Sequence, residues 1–291
     1  MSLQFLPQTR LPLDVERETF EWTAIAYPRS IPALLRVASR VRAWVEPYLY
    51  RAVKVAPHPP YTLIAQDILH PTPNSKSHRF YRDAVRHLYI QDAPPAEVLQ
   101  VCTRLQTIAN FGLARELIPF LARMKDLRQL SLSLRELFDG APSSCHPKPS
   151  HIFRTITHLD LHDIIDDSED SSILQILPTL PVLTHLCLCD QVPPVRKLLT
   201  ECKRLRILVN PWDKLNAERG RELARNPPTR DARFVVTVYE NINGEWEAYV
   251  RGWTIWAAAD DFVEKKRRGE IPKSCYLMDY WVPEAFSEME A

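Results

Sequence analysis

Six stretches of the chain repeat one hydrophobic pattern, Leu-x-x-Leu-x-Leu or a close variant of it. The copies begin at Val85, Leu105, Leu127, Ile156, Leu183 and Leu205. The last two apolar positions of the pattern are two residues apart, so in a β-strand they share one buried face. The middle residues lie at 88, 108, 130, 159, 186 and 208, which gives steps of 20, 22, 29, 27 and 22 residues. Because one unit of this size cannot bury its apolar face alone, the copies are expected to stack.

The segments between the copies have the proline starts and the apolar spacing of short helices. These helices are predicted at 94–102, 113–124, 173–177 and 195–202. Strands and short helices in series favour a right-handed parallel arrangement, and repeats of about 20–29 residues are typical of leucine-rich repeats. The sequence therefore predicts an α/β fold with an irregular leucine-rich-repeat solenoid at residues 81–212.

Different elements are predicted on either side of the repeats. Residues 1–55 read as a helical module, in which one helix begins at Leu11-Pro12 and a second carries an apolar stripe from Leu34 to Val45. The proline-rich segment 56–80 reads as a linker to the repeats. Residues 213–291 are expected to form an α+β cap over the C-terminal end of the solenoid. The cap elements are a helix at 217–224, a strand at 234–238, a hairpin through Asn243-Gly244 to 246–250, and a helix at 253–268 that ends at Gly269.

Composition narrows the possible functions. Lys and Arg total 37 against 36 Asp and Glu, so the net charge of +1 provides no global field for nucleic acid or membrane. The chain contains no glycine-rich nucleotide loop and no apolar run near the ~18 residues of a membrane span. Six scattered cysteines and a start without a secretory pattern favour a reducing cytoplasmic or nuclear location. No cofactor, nucleic-acid partner or membrane partner is expected.

Three short motifs mark the N-terminal module. They are Leu11-Pro12-Leu13-Asp14-Val15, then Leu34-Leu35-x-Val37-Ala38-Ser39-Arg40-Val41-x-x-Trp44, then Leu49-Tyr50-Arg51. In order and spacing they resemble an F-box or a divergent F-box-like domain, although Glu16 and Thr19 stand where that family usually carries large aliphatic residues. Together with the repeats, residues 11 to 212 resemble F-box/leucine-rich-repeat proteins, especially a fungal group with this layout.

The resemblance implies a small helical bundle that docks on the adaptor subunit of a cullin–RING ubiquitin ligase. The residues expected to carry its fold or its docking face are Leu11, Pro12, Val15, Leu34, Leu35 and Trp44. In this interpretation the repeats hold a protein for ubiquitination. The alternative is that the module only caps the first repeat, in which case the chain is a protein-binding scaffold without a ligase.

The residues between the pattern leucines should form the exposed, concave face of the sheet. Tyr89 and Phe111 are the candidate aromatic anchors for a protein or peptide partner, because rigid aromatic side chains bury a large area at low entropic cost. The further candidates for partner binding are His158, His162 and His185. Two alternatives remain: these side chains are merely solvated, or the C-terminal segment covers them.

Histidine, aspartate and cysteine side chains alternate on two neighbouring copies. His158, Asp160 and His162 would lie beside His185, Cys187 and Cys189, where imidazoles and thiolates could hold zinc. No C-x-x-C pair supports that interpretation, so we predict no metal. No nucleophile, base and oxyanion site can be assembled either, so no catalytic residue is assigned and the chain is not expected to be an enzyme.

Overall fold

The computed structural model describes residues 11–55, 63–91, 96–112, 114–138, 152–165, 172–189, 191–239 and 255–278. The chain divides into two compact units, and the boundary lies between Arg51 and Ala52. Within the described ranges, no helix is both long enough and apolar enough to cross a bilayer.

The first unit is a small bundle of helices. Its elements are α1 (Leu13–Ala26), α2 (Ile31–Leu34) and α3 (Ser39–Val45), with 3-10 turns at Pro28–Ser30 and Glu46–Tyr50. The buried core consists of one residue of α1 and three from the later helices. These are Ala24, Ile31, Val41 and Val45. The bundle thus has a core of its own, although it is a small one.

The apolar stripe from Leu34 to Val45 does not form one helix, which differs from the expectation. Ala38 is extended, with φ −163° and ψ 156°, and its carbonyl accepts the first bond of α3 from the Arg42 N–H at 2.9 Å. The break lets Leu34 and Leu35 pack against the same cluster that Val41 and Val45 form. Packing around a shared core therefore outweighs the continuous helical spacing.

The described part of the second unit contains one sheet of nine strands. The strands are β1 (Ala52–Val55), β2 (His87–Ile90), β3 (Thr107–Asn110), β4 (Gln129–Leu132), β5 (His158–Leu161), β6 (His185–Leu188), β7 (Ile207–Trp212), β8 (Phe234–Val238) and β9 (Leu277–Met278). Each strand pairs in parallel with the next strand along the chain, so the spatial order equals the sequence order. The fold is therefore α/β with a parallel sheet, and the mixed class predicted from the sequence is confirmed.

All six copies of the hydrophobic pattern form strands, as predicted. Their middle residues are Cα partners across the sheet: Leu88, Ile108, Leu130, Leu159, Leu186 and Leu208. None of the six is more than 2% exposed. The number of residues between successive copies is thus the number of residues from one strand to the next. The apolar positions of the pattern lie on one buried face.

Short helices connect the strands. The remaining helices are α4 (Leu63–Leu69), α5 (His78–Ala84), α6 (Ala96–Val101), α7 (Ile118–Leu121), α8 (Leu134–Phe138), α9 (Ser172–Ile176), α10 (Val195–Glu201), α11 (Ala217–Arg225) and α12 (Ile255–Arg268). The helices predicted at 94–102, 173–177 and 195–202 correspond to α6, α9 and α10. The segment 113–124 is instead a 3-10 turn at Ala114–Leu117 followed by α7, so its predicted single helix is wrong.

The segment interpreted as a linker, 56–80, contains secondary structure. It includes α4 and the start of α5, whose first turn is capped by Ser77 through a 3.2 Å bond from the Phe80 N–H to the Ser77 hydroxyl. Asp67 joins the two helices, because the buried Tyr81 hydroxyl donates to its carboxylate at 2.9 Å. The strand at Ala52–Val55, which the sequence places in the N-terminal module, pairs with β2 in the second unit.

The C-terminal segment extends the sheet and also covers part of one face. β8 pairs in parallel with β7 and β9, and the hairpin predicted through 246–250 lies outside the described residues. Gly269 ends α12 with a φ of 78°, as expected for a helix stop. Trp256, Ala259 and Val263 of α12 pack against a cluster of buried residues of β6, β7, β8 and β9, which are Cys187, Ile207, Val209, Val235 and Met278. The helix therefore lies on the face of the sheet, not over its end.

Candidate functional site

A cavity of about 760 Å³ lies on the sheet face opposite the pattern leucines. Its walls come mainly from alternate residues of β2 to β6 and from the turns that follow them. The first residues of α12, two residues of α8, Pro211 of β7 and Tyr239 complete the walls. Successive strand residues point to opposite faces, so the residues between the buried leucines must line this side. The alternation in the sequence thus correctly places Tyr89, Ser131 and Asp160 on this side, although two residues of the leucine pattern, Asn110 and Leu130, also line the cavity.

Three stacked rings form the aromatic stack, which we define as Tyr89, Phe111 and His162. The Tyr89 and Phe111 ring centroids are 5.2 Å apart, and those of Phe111 and His162 are 4.4 Å apart with planes 15° from parallel. Phe111 is 39% exposed, whereas Tyr89 is only 7% exposed, and burial raises the pKa of its hydroxyl. Phe111 is therefore the accessible ring, and Tyr89, which the sequence placed on an open surface, mainly supports it.

A polar network adjoins the aromatic stack. The Ser131 hydroxyl donates to Asp160 Oδ2 at 2.8 Å and lies 2.9 Å from His162 Nε2. The other carboxylate oxygen of Asp160 accepts a 3.6 Å contact from the Cys189 thiol, and the Cys187 and Cys189 sulfurs are 3.9 Å apart. Residues from three neighbouring strands and the turns after them thus converge on one carboxylate.

His158 and His185 form a stacked pair under α12. Their ring centroids are 4.0 Å apart, and both rings meet the Trp256 ring edge to face, at 5.3 and 5.8 Å. His185 is 4% exposed, and its Nε2 lies 3.2 Å from an Asp260 carboxylate oxygen. His185 is therefore not on an open surface, contrary to its sequence interpretation, because α12 covers this part of the face. Of the two alternatives given for these side chains, solvation or coverage by the C-terminal segment, the structure shows coverage for His185.

Burial keeps both imidazoles neutral. It lowers the pKa of His158 to about 3, with a further contribution from the neighbouring His185. Burial also lowers the pKa of His185, and the nearby Asp260 carboxylate only partly opposes that effect. The pair therefore sits in the folded chain without a charge near neutral pH.

Acid should destabilise the fold through His158. In the unfolded chain a histidine binds its proton at a pKa of about 6.5, whereas in the folded chain the pKa is about 3. The stabilising contribution is complete above about pH 6.5 and is lost as the pH falls toward about 3, since only the unfolded chain gains a proton in that window. Between pH 7 and pH 5 the loss is about 2 kcal/mol.

Urea titrations of the wild type and of His158→Gln at both pH values measure this contribution. The wild type should lose about 2 kcal/mol more than the variant between pH 7 and pH 5, because glutamine does not titrate. Equal losses would show that the imidazole binds its proton as readily in the folded chain as in the unfolded one.

The residues assigned to adaptor docking divide into two groups in the first unit. Leu34, Leu35 and Trp44 are partly buried against the core of the bundle. Leu11 and Val15 are 58% and 42% exposed, and Pro12 is also exposed. The first group therefore carries the fold, and the second offers an apolar surface at the start of α1.

The acidic residue at position 16 has a partner in the same bundle. Arg40 of α3 donates to both Glu16 carboxylate oxygens, at 2.7 and 3.3 Å, and so joins α1 to α3. A bidentate pair of this kind has good geometry, although exposed ion pairs contribute little to stability. This contact gives Glu16 a structural role at the surface between α1 and α3.

The sequence analysis missed Asp163, which lies at the rim of the cavity and holds the neighbouring helix α8. Its buried carboxylate accepts bonds from the backbone N–H groups of Leu134 and Arg135 at 2.6 and 3.0 Å. An aspartate just after a strand copy was the only signal in the sequence, and it does not reveal which groups the carboxylate holds.

Comparisons of this chain with protein-family models, with curated proteins and with solved structures found no match.

Proposed function

We propose that this protein is a non-catalytic receptor that joins two partners. The first unit is an F-box-like module that docks on the adaptor subunit of a cullin–RING ubiquitin ligase. The second unit is a leucine-rich-repeat solenoid that holds a protein segment for ubiquitination. The observation that carries the proposal is the cavity on the sheet face, with its accessible aromatic stack.

The order of the strands supports the repeat interpretation. Nine parallel strands follow one another in chain order, and short helices or turns lie between them. In such an array each unit contacts its neighbours, and the residues between the leucines form one continuous binding face. α12 covers that face from β6 onward, which leaves the part around β2 to β5 for a partner.

The chemistry of the cavity favours a peptide over a nucleic acid. Its walls combine aromatic rings, hydroxyls and two amides with the carboxylates of Glu136, Asp160 and Asp163, and Arg135 contributes one guanidinium. A phosphate backbone is recognised mainly by lysine and arginine, whereas rigid aromatic side chains are enriched where protein partners bind. Phe111 offers an apolar platform, and Ser131, Gln129 and Asp160 offer hydrogen bonds to a backbone or to polar side chains. The partner proposed here is an extended protein segment.

The exposed start of α1 supports the docking interpretation. Leu11, Leu13 and Val15 present apolar side chains to solvent within five residues. Contiguous exposed apolar residues on a soluble protein mark interaction surfaces more often than single ones do. This receptor would work in the cytoplasm or nucleus, where cullin–RING ligases act, and it would need no catalytic residue, cofactor or membrane.

Peptides selected from a displayed random library on the full-length protein would test the cavity. Phe111→Ala should weaken the selected peptides about tenfold or more, because it removes the accessible ring of the aromatic stack. Its effect on thermal stability should be small, since the ring is 39% exposed. The matched control is Leu215→Ala, which removes a 94% exposed apolar side chain outside the cavity. Peptides that keep full affinity for both Phe111→Ala and His162→Ala would argue for a binding site elsewhere.

A scaffold without a ligase remains the second candidate. It shares the peptide-binding face, so the peptide experiment does not separate the two. The Glu16–Arg40 pair favours this candidate, because it places charge where an F-box docks with aliphatic side chains. Adaptor binding distinguishes them, since only the receptor requires it.

A further inference from the structure

Two thiols and a carboxylate converge in the wall of the cavity. Cys187 and Cys189 are two residues apart at the end of β6, so their side chains point to the same face. Asp160 of β5 is the Cα partner of Cys187 in the sheet. Among the residues that the structure describes, the ligand atoms of these three side chains lie within 4.8 Å of one another. We call them the thiol–carboxylate cluster.

Two of the three distances within the cluster match the edges of a zinc tetrahedron, and the third, between the Cys187 sulfur and the Asp160 carboxylate, is at most 4.8 Å. With Zn–S bonds of about 2.3 Å and Zn–O bonds of about 2.0 Å, tetrahedral geometry separates two sulfurs by about 3.8 Å and a sulfur from an oxygen by about 3.5 Å. The two sulfurs are 3.9 Å apart, and the Cys189 sulfur is 3.6 Å from Asp160 Oδ1. An ion could therefore enter with only small movements of the side chains.

We propose that Asp160, Cys187 and Cys189 bind one zinc ion, with the fourth coordination position open to the cavity. This goes beyond the proposed receptor function and replaces the expectation that no metal binds. All three residues line the cavity, so the ion can enter and its remaining position faces the space for a partner. Three protein ligands with one open position form a recognised type of zinc site.

The surroundings of Asp160 fit a ligand. The Ser131 hydroxyl holds Oδ2 at 2.8 Å, which leaves Oδ1 toward the thiols. A hydrogen bond of this kind orients a metal-binding carboxylate, and it is typical of the residues that surround zinc ligands. Without an ion the Cys187 thiol stays protonated, because burial raises its pKa well above the ordinary value. Zinc is bound by the thiolate form of cysteine, so zinc binding would displace the proton of the Cys187 thiol.

Metal titration of the full-length protein tests the site. The protein is washed with a chelator, kept fully reduced, and titrated with zinc against a chromophoric competitor. The expected result is one ion per chain at this site, and cobalt should give thiolate charge-transfer bands together with the visible bands of tetrahedral coordination. Cys189→Ser should abolish the charge-transfer bands or weaken them strongly, and Ser131→Ala should lower the zinc affinity about 10- to 100-fold.

Cys275→Ser is the matched control, since Cys275 is another half-buried cysteine that lies outside the cavity, and its thiol donates to the Leu277 carbonyl at 3.5 Å. This variant should bind zinc as the wild type does. Circular dichroism of each variant verifies that it is folded. The proposal is overturned if the reduced wild type takes up no zinc, or if folded Cys189→Ser and Ser131→Ala both bind it with unchanged affinity. Neither result depends on the adaptor or on a peptide, so the receptor function is tested separately.

Discussion

Asp163→Ala should lower the free energy of unfolding by about 3–5 kcal/mol, because it leaves one buried and two partly buried donors without their acceptor. The carboxylate is 5% exposed and accepts bonds from the backbone N–H groups of Leu134 and Arg135 and from the Ser133 hydroxyl, at 2.6, 3.0 and 2.7 Å. Those backbone groups form the first turn of α8, where the Ser133 hydroxyl also accepts a 3.1 Å bond from the Glu136 N–H. Asp163, which follows β5, thus connects its repeat unit to the preceding unit, which contains β4 and α8.

Chemical denaturation of Asp163→Ala and Asp126→Ala provides the comparison. Asp126 is half exposed and makes only a surface ion pair with Arg104, so its loss should cost less than about 1 kcal/mol. If the two variants lose similar stability, then the carboxylate of Asp163 does not hold α8 in solution.

Asn210→Leu should lower the free energy of unfolding by about 2–4 kcal/mol, even though leucine occupies this pattern position in other copies. The Asn210 side chain is fully buried and donates to the carbonyls of Leu188 and Gln191, at 2.5 and 2.9 Å. Its own oxygen accepts the Trp212 indole N–H at 2.7 Å. Leucine would leave these three groups unpaired in the interior, and the added apolar burial offsets only part of that cost.

The control for this substitution is Asn226→Leu, which makes the same chemical change at an exposed position after α11. Its effect should stay within about 1 kcal/mol, because it removes only an exposed bond from the Asn226 amide to the Glu222 carboxylate. A loss for Asn210→Leu that is no larger than that of the control would mean that the buried amide contributes nothing specific.

The central strands could be predicted from the sequence because the same alternation of apolar and polar residues recurs in each of them. Within each strand, alternation with period two places the pattern leucines on one face. When the strands stack, Leu130 of β4 and Leu159 of β5 become Cα partners on that face. The strand at Ala52–Val55 has no complete copy of the pattern, so only its pairing with β2 identifies it. β8 has a strong local turn signal after it, yet its described partners are β7 and β9, because stacking on the existing sheet decides the pairing.

The candidate site was predicted only in part, because alternation gives the face on which a residue lies but not the element that packs against that face. Alternation assigns Phe111, His162 and Asp160 to one face, and all three line the cavity. The apolar stripe of α12 predicts that Trp256 is buried, but it does not identify the surface that Trp256 covers. His185 was therefore placed on an open face, although α12 buries it. Distances between side chains, such as the 3.9 Å between the Cys187 and Cys189 sulfurs, depend on the folded register and side-chain rotamers.

Calorimetric titration of the full-length protein with a purified cullin–RING adaptor subunit tests the receptor account most directly. The account predicts a one-to-one complex that Leu11→Arg and Val15→Arg each weaken about tenfold or more, since both side chains are exposed at the start of α1. Leu215→Arg, the same kind of change at a 94% exposed leucine in the second unit, should bind the adaptor as the wild type does. No detectable binding, or a complex that both α1 variants leave intact, would contradict the account and favour the scaffold without a ligase.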